Sequence, residues 1–431
     1  MENSPTDTLA ALDNLPVWPY PKRVLAIIGV AYFFTFFDVV NIGYALPAIA
    51  SHFRVSTDTA ALTIALGLVG YVIGAEIDGF VSDRLSRRLA LLLSVAGFTV
   101  GSFVTALAPT FAWLVVGRFI VGMGIGAEIA AASAYITGIS PSHLRGRAGG
   151  EAVTWGYAGI AVAPFVALAL VPHHVDGWRW MFAIGAIGGL LVIPLRTLLP
   201  ESPRWLIEHG RHGQAERVVR EAVARAATSP RTRPMVPATP APSRLSTGAA
   251  VGLFLAVWFF YYIGNYGWLT LSTTLLTKHG FTLTKSLAFV SVTGVGLFIG
   301  AAASVWLGDR FERKFSVAVA LVLYAVSLLA IGLVPQASVI VLCGFVVSLT
   351  IGLVVPLLYV ITSEQFSSKF RALGVANTDG WGHIGAALCP YVILPAAGIS
   401  FAWGFVVMAA TGVVTAILIL FSRSMTNRTV E

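Results

Sequence analysis

The chain is built from long apolar runs that carry almost no charge. One turn shows what those runs are. Gly79-Phe80-Val81-Ser82-Asp83-Arg84-Leu85-Ser86-Arg87-Arg88 is a tight charged segment with apolar stretches on both sides. Each flank is about twenty residues, the length that crosses a bilayer core as a helix. In water such a turn would sit on a protein surface, but these flanks have no polar face to show to water. The turn is therefore a short loop at a membrane surface, and its three arginines mark the cytoplasmic side. Composition agrees: 57% of the 431 residues are hydrophobic and only 11% are charged, against about 25% charged in soluble domains.

The phrase returns as Gly308-Asp309-Arg310-Phe311-Glu312-Arg313-Lys314, with Asp309 lying 226 residues after Asp83. The same offset relates Arg145 to Arg371, Trp155-Gly156 to Trp381-Gly382, Pro164 to Pro390 and Gly126 to Gly352. The chain is a duplicated unit whose halves run the same way through the membrane. Twelve spans are expected near 24–47, 60–82, 89–108, 111–137, 149–171, 179–199, 248–270, 286–308, 316–334, 338–361, 372–395 and 400–421. The predicted fold is all-α, with twelve transmembrane helices in two pseudo-symmetric six-helix bundles. Residues 1–21 read as a cytosolic tail, 22–199 as the first bundle and 200–247 as a cytosolic linker with an amphipathic helix from Pro203 to about Ala227. Residues 248–421 form the second bundle and 422–431 a cytosolic tail.

With both termini inside, all but five of the 28 Lys and Arg fall on the cytoplasmic side. Arg54, Arg179, Lys278 and Lys285 lie outside, and Arg118 lies within a span. Reversing the chain would invert this bias, so cytoplasmic termini are expected. The net charge of +8 thus belongs to one membrane face and gives no nucleic-acid signal. Cys343 and Cys389 both lie in apolar spans, so neither a disulfide framework nor a metal site is expected.

The Gly-x-x-x-Asp-Arg-x-x-Arg-Arg turn and its weaker copy resemble the major facilitator superfamily. Pro200-Glu201-Ser202-Pro203-Arg204-Trp205-Leu206 and Gly117-Arg118-Phe119-Ile120-Val121-Gly122-Met123-Gly124 resemble the branch that holds sugar porters, niacin-type and aromatic-acid proton symporters, and organic-ion carriers. The likeness runs over roughly residues 20–425. It implies a secondary transporter that works by alternating access, with no cofactor.

Ionisable residues inside a span cost about 2.5–3.5 kcal/mol each on insertion scales, so each needs a partner or a wet cavity. Asp38 lies about 21 Å into the first span at helical rise, and Arg118 about 10 Å into the fourth from the other side; the two are level. In sugar porters an aspartate of the first span faces the arginine that opens this fourth-span motif, and protonation breaks the pair. Asp38 and Arg118 stand at the matching places, which implies a proton-coupling switch; a permanent structural ion pair is the plain alternative. Glu128 is surrounded by small residues and resembles the Gly-Gly-Glu of niacin-type carriers. It reads as a second proton site, a substrate contact or the partner of an arginine.

His383 falls near midplane in the eleventh span, where organic-cation carriers hold an acid and niacin-type and organic-anion carriers hold arginine. A histidine is neutral or cationic close to pH 6.5 and decides neither way. Asp379 lies one turn before it on the same helix face. Asn41, Trp155, Tyr157, Tyr262, Asn265 and Trp381 complete the expected substrate-facing set, with Trp155 and Trp381 expected to face one another across the pseudo-twofold axis. Aromatic residues there suit a flat ring, although most aromatics in spans simply pack or lie in interfacial belts.

Gly79, Asp83, Arg84, Arg87 and Arg88, with Arg145, Asp309, Arg310, Arg313, Glu364 and Arg371, resemble the superfamily's cytoplasmic gate. Sugar porters carry a glutamate at the end of the fourth span in each half. Here the second half has Glu364 and the first has Gly138, so the inner lock is expected to be asymmetric.

The reading is proton-coupled uptake of a small organic acid or aromatic metabolite by a monomeric carrier of a bacterial inner membrane. Its partners are the substrate, protons and the lipid bilayer. An organic-cation or amine carrier and a proton-driven exporter remain as rivals. No catalytic triad, metal-ligand cluster or phosphate loop points to an enzyme.

Overall fold

A computed structural model describes residues 5–227, 239–240, 247–307, 310–366, 371–424 and 428–429. Among these, twelve helices are long and apolar enough to cross a membrane: Arg23–Phe53, Thr57–Arg84, Arg87–Ala106, Phe111–Ile139, Arg145–Leu170 and Gly177–Arg196 in the first half. Thr247–Lys278, Leu283–Ser304, Arg313–Leu333, Ala337–Gln365, Leu373–Ile399 and Phe401–Leu420 follow in the second. They are called spans one to twelve below. Hydroxyl caps start several of them. Ser86 accepts from Leu89 N–H, Thr110 from Trp113 and Ser400 from Trp403, each satisfying an otherwise orphaned amide.

Glycine faces let the helices of each half pack backbone to backbone. Gly70 and Gly74 of span two press on the span-four backbone at Phe119 and Met123. Their counterparts Gly296 and Gly300 of span eight press on span ten at Phe345 and Leu349. Every one of these residues has its partner 226 positions on, so the repeat is written into the packing itself.

The halves meet along spans two and eleven, five and eight, and one and seven. At the opposite end from the Gly79–Arg88 turn, Pro164 of span five lies against Gly294 of span eight. Toward the turn end Ile77, Phe80, Trp155, Trp306 and Trp381 are exposed. The contacts named between the halves thus lie at the end away from the charged turn and at midplane, where Tyr71 stacks on His383.

The tail and linker are more ordered than their composition suggests. Pro5–Asp13 is helical, and the linker forms Pro203–Glu208 and His212–Ala227. Gly210 separates these two with φ +70°, a left-handed backbone that glycine adopts without strain. Asp13 binds Arg204 at 2.6 Å, and Leu12 is fully buried. Linker residues 229–238 and 241–246 lie outside the described residues, as does Asp309; the side chain of Arg371 is likewise not described.

Candidate functional site

Three polar clusters lie at successive depths inside this apolar frame. The first is the Asp38–Arg118 pair. Arg118 Nη1 donates to Asp38 Oδ1, and Ser102 of span three donates to Oδ2 at 3.1 Å. Asp38 is fully buried, and the Arg118 guanidinium lies 5.3 Å from the centroid of the Phe182 ring. The pair draws on spans one, three, four and six, all of the first half. Arg118 Nε is buried without a partner. Asn41, one turn along from Asp38, donates to the Met181 carbonyl at 3.2 Å.

The second cluster is at midplane and joins the two halves. Tyr71 of span two stacks on His383 of span eleven, with ring centroids 3.9 Å apart. Tyr262 and Tyr266 of span seven close the cage at 4.2 and 5.6 Å. His383 Nδ1 is 2.9 Å from the Asp379 carbonyl oxygen. A carbonyl can only accept, so Nδ1 carries a proton. Nε2, 3.2 Å from the Tyr266 hydroxyl, then accepts from Tyr266 in the neutral ring or donates to it in the imidazolium. The Asp379 carboxylate accepts from Tyr262 and, at 3.5 Å, from Tyr71. Just after Tyr266, span seven passes into a π-helical stretch, Gly267–Leu271. Such bulges often mark functional positions.

A cavity of about 20 Å³ separates these two clusters, lined by Val39, Tyr71, Arg118, Gly122, Tyr266 and Thr270 among others. That is room for one water molecule, set between the arginine of the first cluster and the tyrosines of the second.

The third cluster lies toward the turn end. Glu128 is fully buried and accepts from Arg196 of span six and from Ser94 of span three, the latter at 2.7 Å. Of the three roles open to Glu128 from sequence, this geometry provides the arginine partner.

The remaining expected contacts are spread out. Tyr157 is buried and meets Phe36 edge to face. Asn265 donates to the Tyr261 hydroxyl at 2.8 Å. Trp155 and Trp381 are 42% and 52% exposed, and among the described residues no ring contact joins them. Trp381, two residues from both Asp379 and His383, is level with the cage, but among the described residues no ring contact joins it to the cage rings.

The charged turn is held by its own half. Ser86 donates to Glu201 of the linker, and Glu201 also accepts from the Arg88 amide at 3.3 Å. Arg87 donates to the Ala134 carbonyl at 2.9 Å, and Trp205 Nε1 to the Asp83 carbonyl at 3.0 Å. Arg84 lies over the Phe80 ring, and Gly79 has open space beside it. In the second half Arg313 pairs with Glu364, and Arg310 lies over Trp306. Arg145 is 3.9 Å from Asp13.

Sequence reasoning missed Tyr71, Tyr266, Ser102, Arg196 and Asp78. Arg196 carried a usable signal, a cation at the end of an apolar run. The tyrosines carried none that separates them from packing residues.

Comparison with known proteins places this frame. The model of the Major Facilitator Superfamily matches residues 28–378. A putative metabolite transport protein of Bacillus subtilis is 29% identical, over 86% of this chain and 85% of its own. A niacin transporter of Acinetobacter baylyi is 26% identical over 90% of each chain, and a gallate transporter of Pseudomonas putida 26% over 89% and 87%. Among solved structures, the xylose transporter of E. coli in a partially occluded inward-open conformation gives a TM-score of 0.77 at 17% identity, over 95% of this chain and 99% of its own. Twelve spans in two repeated bundles, charges buried inside the spans and this likeness lead to one conclusion: the chain is a multi-pass membrane transporter, not an enzyme, and belongs to the Major Facilitator Superfamily.

Proposed function

We propose that this transporter couples proton entry to the uptake of a small aromatic or other organic monocarboxylate, across a bacterial inner membrane with both termini in the cytoplasm. The observation that carries the reading is the buried Asp38–Arg118 pair lying one water-sized cavity away from a tyrosine–histidine cage. While Asp38 is ionised it neutralises Arg118. Once Asp38 takes a proton, the guanidinium is left buried beside the cavity without a counter-charge, a state that costs several kcal/mol. A substrate carboxylate entering the cage restores charge balance, so proton and anion bind together. The flat faces of Tyr71, Tyr262 and His383 suit a planar ring. Niacin and gallate, the compounds in two relatives' names, are both aromatic carboxylates. The turn end is then the cytoplasmic mouth, and the two halves close and open around the cage.

One observation favours a second reading. Asp379 puts a carboxylate in the cage beside three tyrosines, an arrangement that also suits an organic cation. The test is a thermal-shift panel on the purified protein at pH 5.5 and 7.5 with nicotinate, gallate, quaternary amines and pentoses. Bound ligand stabilises by mass action. The carboxylates should raise the melting temperature, more so at the lower pH. Stabilisation by amines alone would replace this reading with the cation carrier.

A further inference from the structure

Span two carries a second buried acid that none of the roles above uses. Asp78 is 4% exposed, its Oδ2 is buried without a partner, and no hydrogen bond reaches it among the described residues. The charged groups near it are Glu128 of span four, Arg196 of span six and Asp83 further along its own helix. Asp83 and Glu76 are exposed and face solvent. On span eleven, Asp379 and His383 lie level with Tyr71, about two helical turns away. The buried set is therefore two acids against one arginine. Arg196 keeps its charge under all ordinary conditions, and both oxygens of Glu128 are taken, by Arg196 and Ser94. One negative charge is left over. A bare carboxylate with a buried, unpartnered oxygen is costly, whereas the neutral acid costs far less.

We propose that Asp78 is a second proton-binding site, held in the inner half of the first bundle and open to exchange with the cytoplasm. The exchange route is on the same helix face. Ser82 stands one turn further toward the turn end on that face, buried with an unpartnered hydroxyl, and exposed Asp83, next in sequence, lies round the helix at the surface. The step is a proton transfer alone. An O–H bond forms on Asp78 and one breaks on hydronium, leaving water, and the cluster becomes neutral. Alkalinising the cytoplasm reverses it and leaves the cluster with net charge −1.

Infrared difference spectroscopy of the purified full chain tests this without any substrate, so its outcome is separate from that of the symport reading. At neutral pH, wild type minus Asp78→Asn should show the C=O stretch of a carboxylic acid, shifted on deuteration, and the band should bleach as the pH is raised. Glu128→Gln should lose the same band, because Asp78 would then be the one acid left to Arg196. Identical spectra for wild type and Asp78→Asn would mean that Asp78 is ionised and end the proposal. A band that persists up to unfolding would show a permanently protonated packing residue and end it equally. Should Asp78→Asn fail to fold, a band retained in Glu128→Gln would overturn the two-acids-one-arginine argument.

Discussion

The side chains that carry the chemistry differ in how far the sequence gives them away. Asp38 and Arg118 stand out because a charge inside an apolar run demands a partner, and depth counting puts them level; the structure joins them. Asp78 is hidden by its neighbours, since an acid immediately before a charged turn reads as part of that turn. Tyr71 is invisible for another reason. An aromatic in a span is most often packing, and only the stacking on His383, from the other half of the chain, separates it from the rest. Two predictions belong to this scale. Asp38→Asn mimics the protonated acid, so uptake driven by a proton gradient should vanish while substrate exchange across the membrane survives. Proteoliposome uptake with and without an imposed gradient reads this, and accumulation persisting in the variant would move coupling away from Asp38. Tyr71→Ala removes the stacked face and one donor to Asp379. An aromatic contact of this kind is worth about 0.5–1.5 kcal/mol, so substrate affinity should fall roughly two- to thirteenfold. Tyr71→Phe should recover most of it, because the hydroxyl bond at 3.5 Å is long and weak.

The elements were legible as spans because bilayer thickness sets their length, and their pairing was legible through the repeat. Where the sequence fell short was at the ends. Residues 1–21 read only as a cytosolic tail, and Leu12, Leu15 and Tyr20 bury their side chains beside the first bundle and linker helix. The linker's role is clearest at the one point where the repeat breaks. Arg313 meets Glu364 in the second half. In the first half the equivalent Arg87 faces Gly138, and a Cβ placed there would meet Ser202 and the Arg87 guanidinium. The missing glutamate leaves space that the linker fills, and Glu201 provides a carboxylate to the turn from outside the bundle. The two halves are therefore locked by different chemistry, one by an ion pair within the bundle and one by a strap across its end. Glu364→Gln should remove the ion pair that Glu364 makes with Arg313 and slow transport severalfold. Gly138→Glu should be worse than neutral, since it forces a charged side chain into occupied space; overpacking of that kind costs about 1–3 kcal/mol. A melting temperature for Gly138→Glu equal to that of wild type would show that the linker yields easily and is no strap.

At the scale of the whole molecule the state of the carrier follows from what the two halves touch. They meet at midplane, where Tyr71 lies on His383, and at the end away from the charged turn, where Pro164 lies against Gly294. Sequence alone could not supply this, because each repeat has the same residues in every state and only the pairing between repeats changes. Trp155 and Trp381 make the point. As repeat equivalents they were expected to face one another; they are 42% and 52% exposed, and among the described residues no ring contact joins them. That gives a test of orientation and state together. In a Cys343→Ser background, where the remaining Cys389 is fully buried, Trp155→Cys and Trp381→Cys should each react with a membrane-impermeant maleimide in inside-out vesicles. The same reagent should leave both unmodified in right-side-out vesicles. Labelling from the outer face alone would reverse the topology argued from the arginines. Labelling from neither face would mean that the resting carrier is closed at the cytoplasmic end. If a nicotinate-type substrate closes the halves around the cage, its addition should slow both reactions in parallel, because the two residues are repeat equivalents in the two halves.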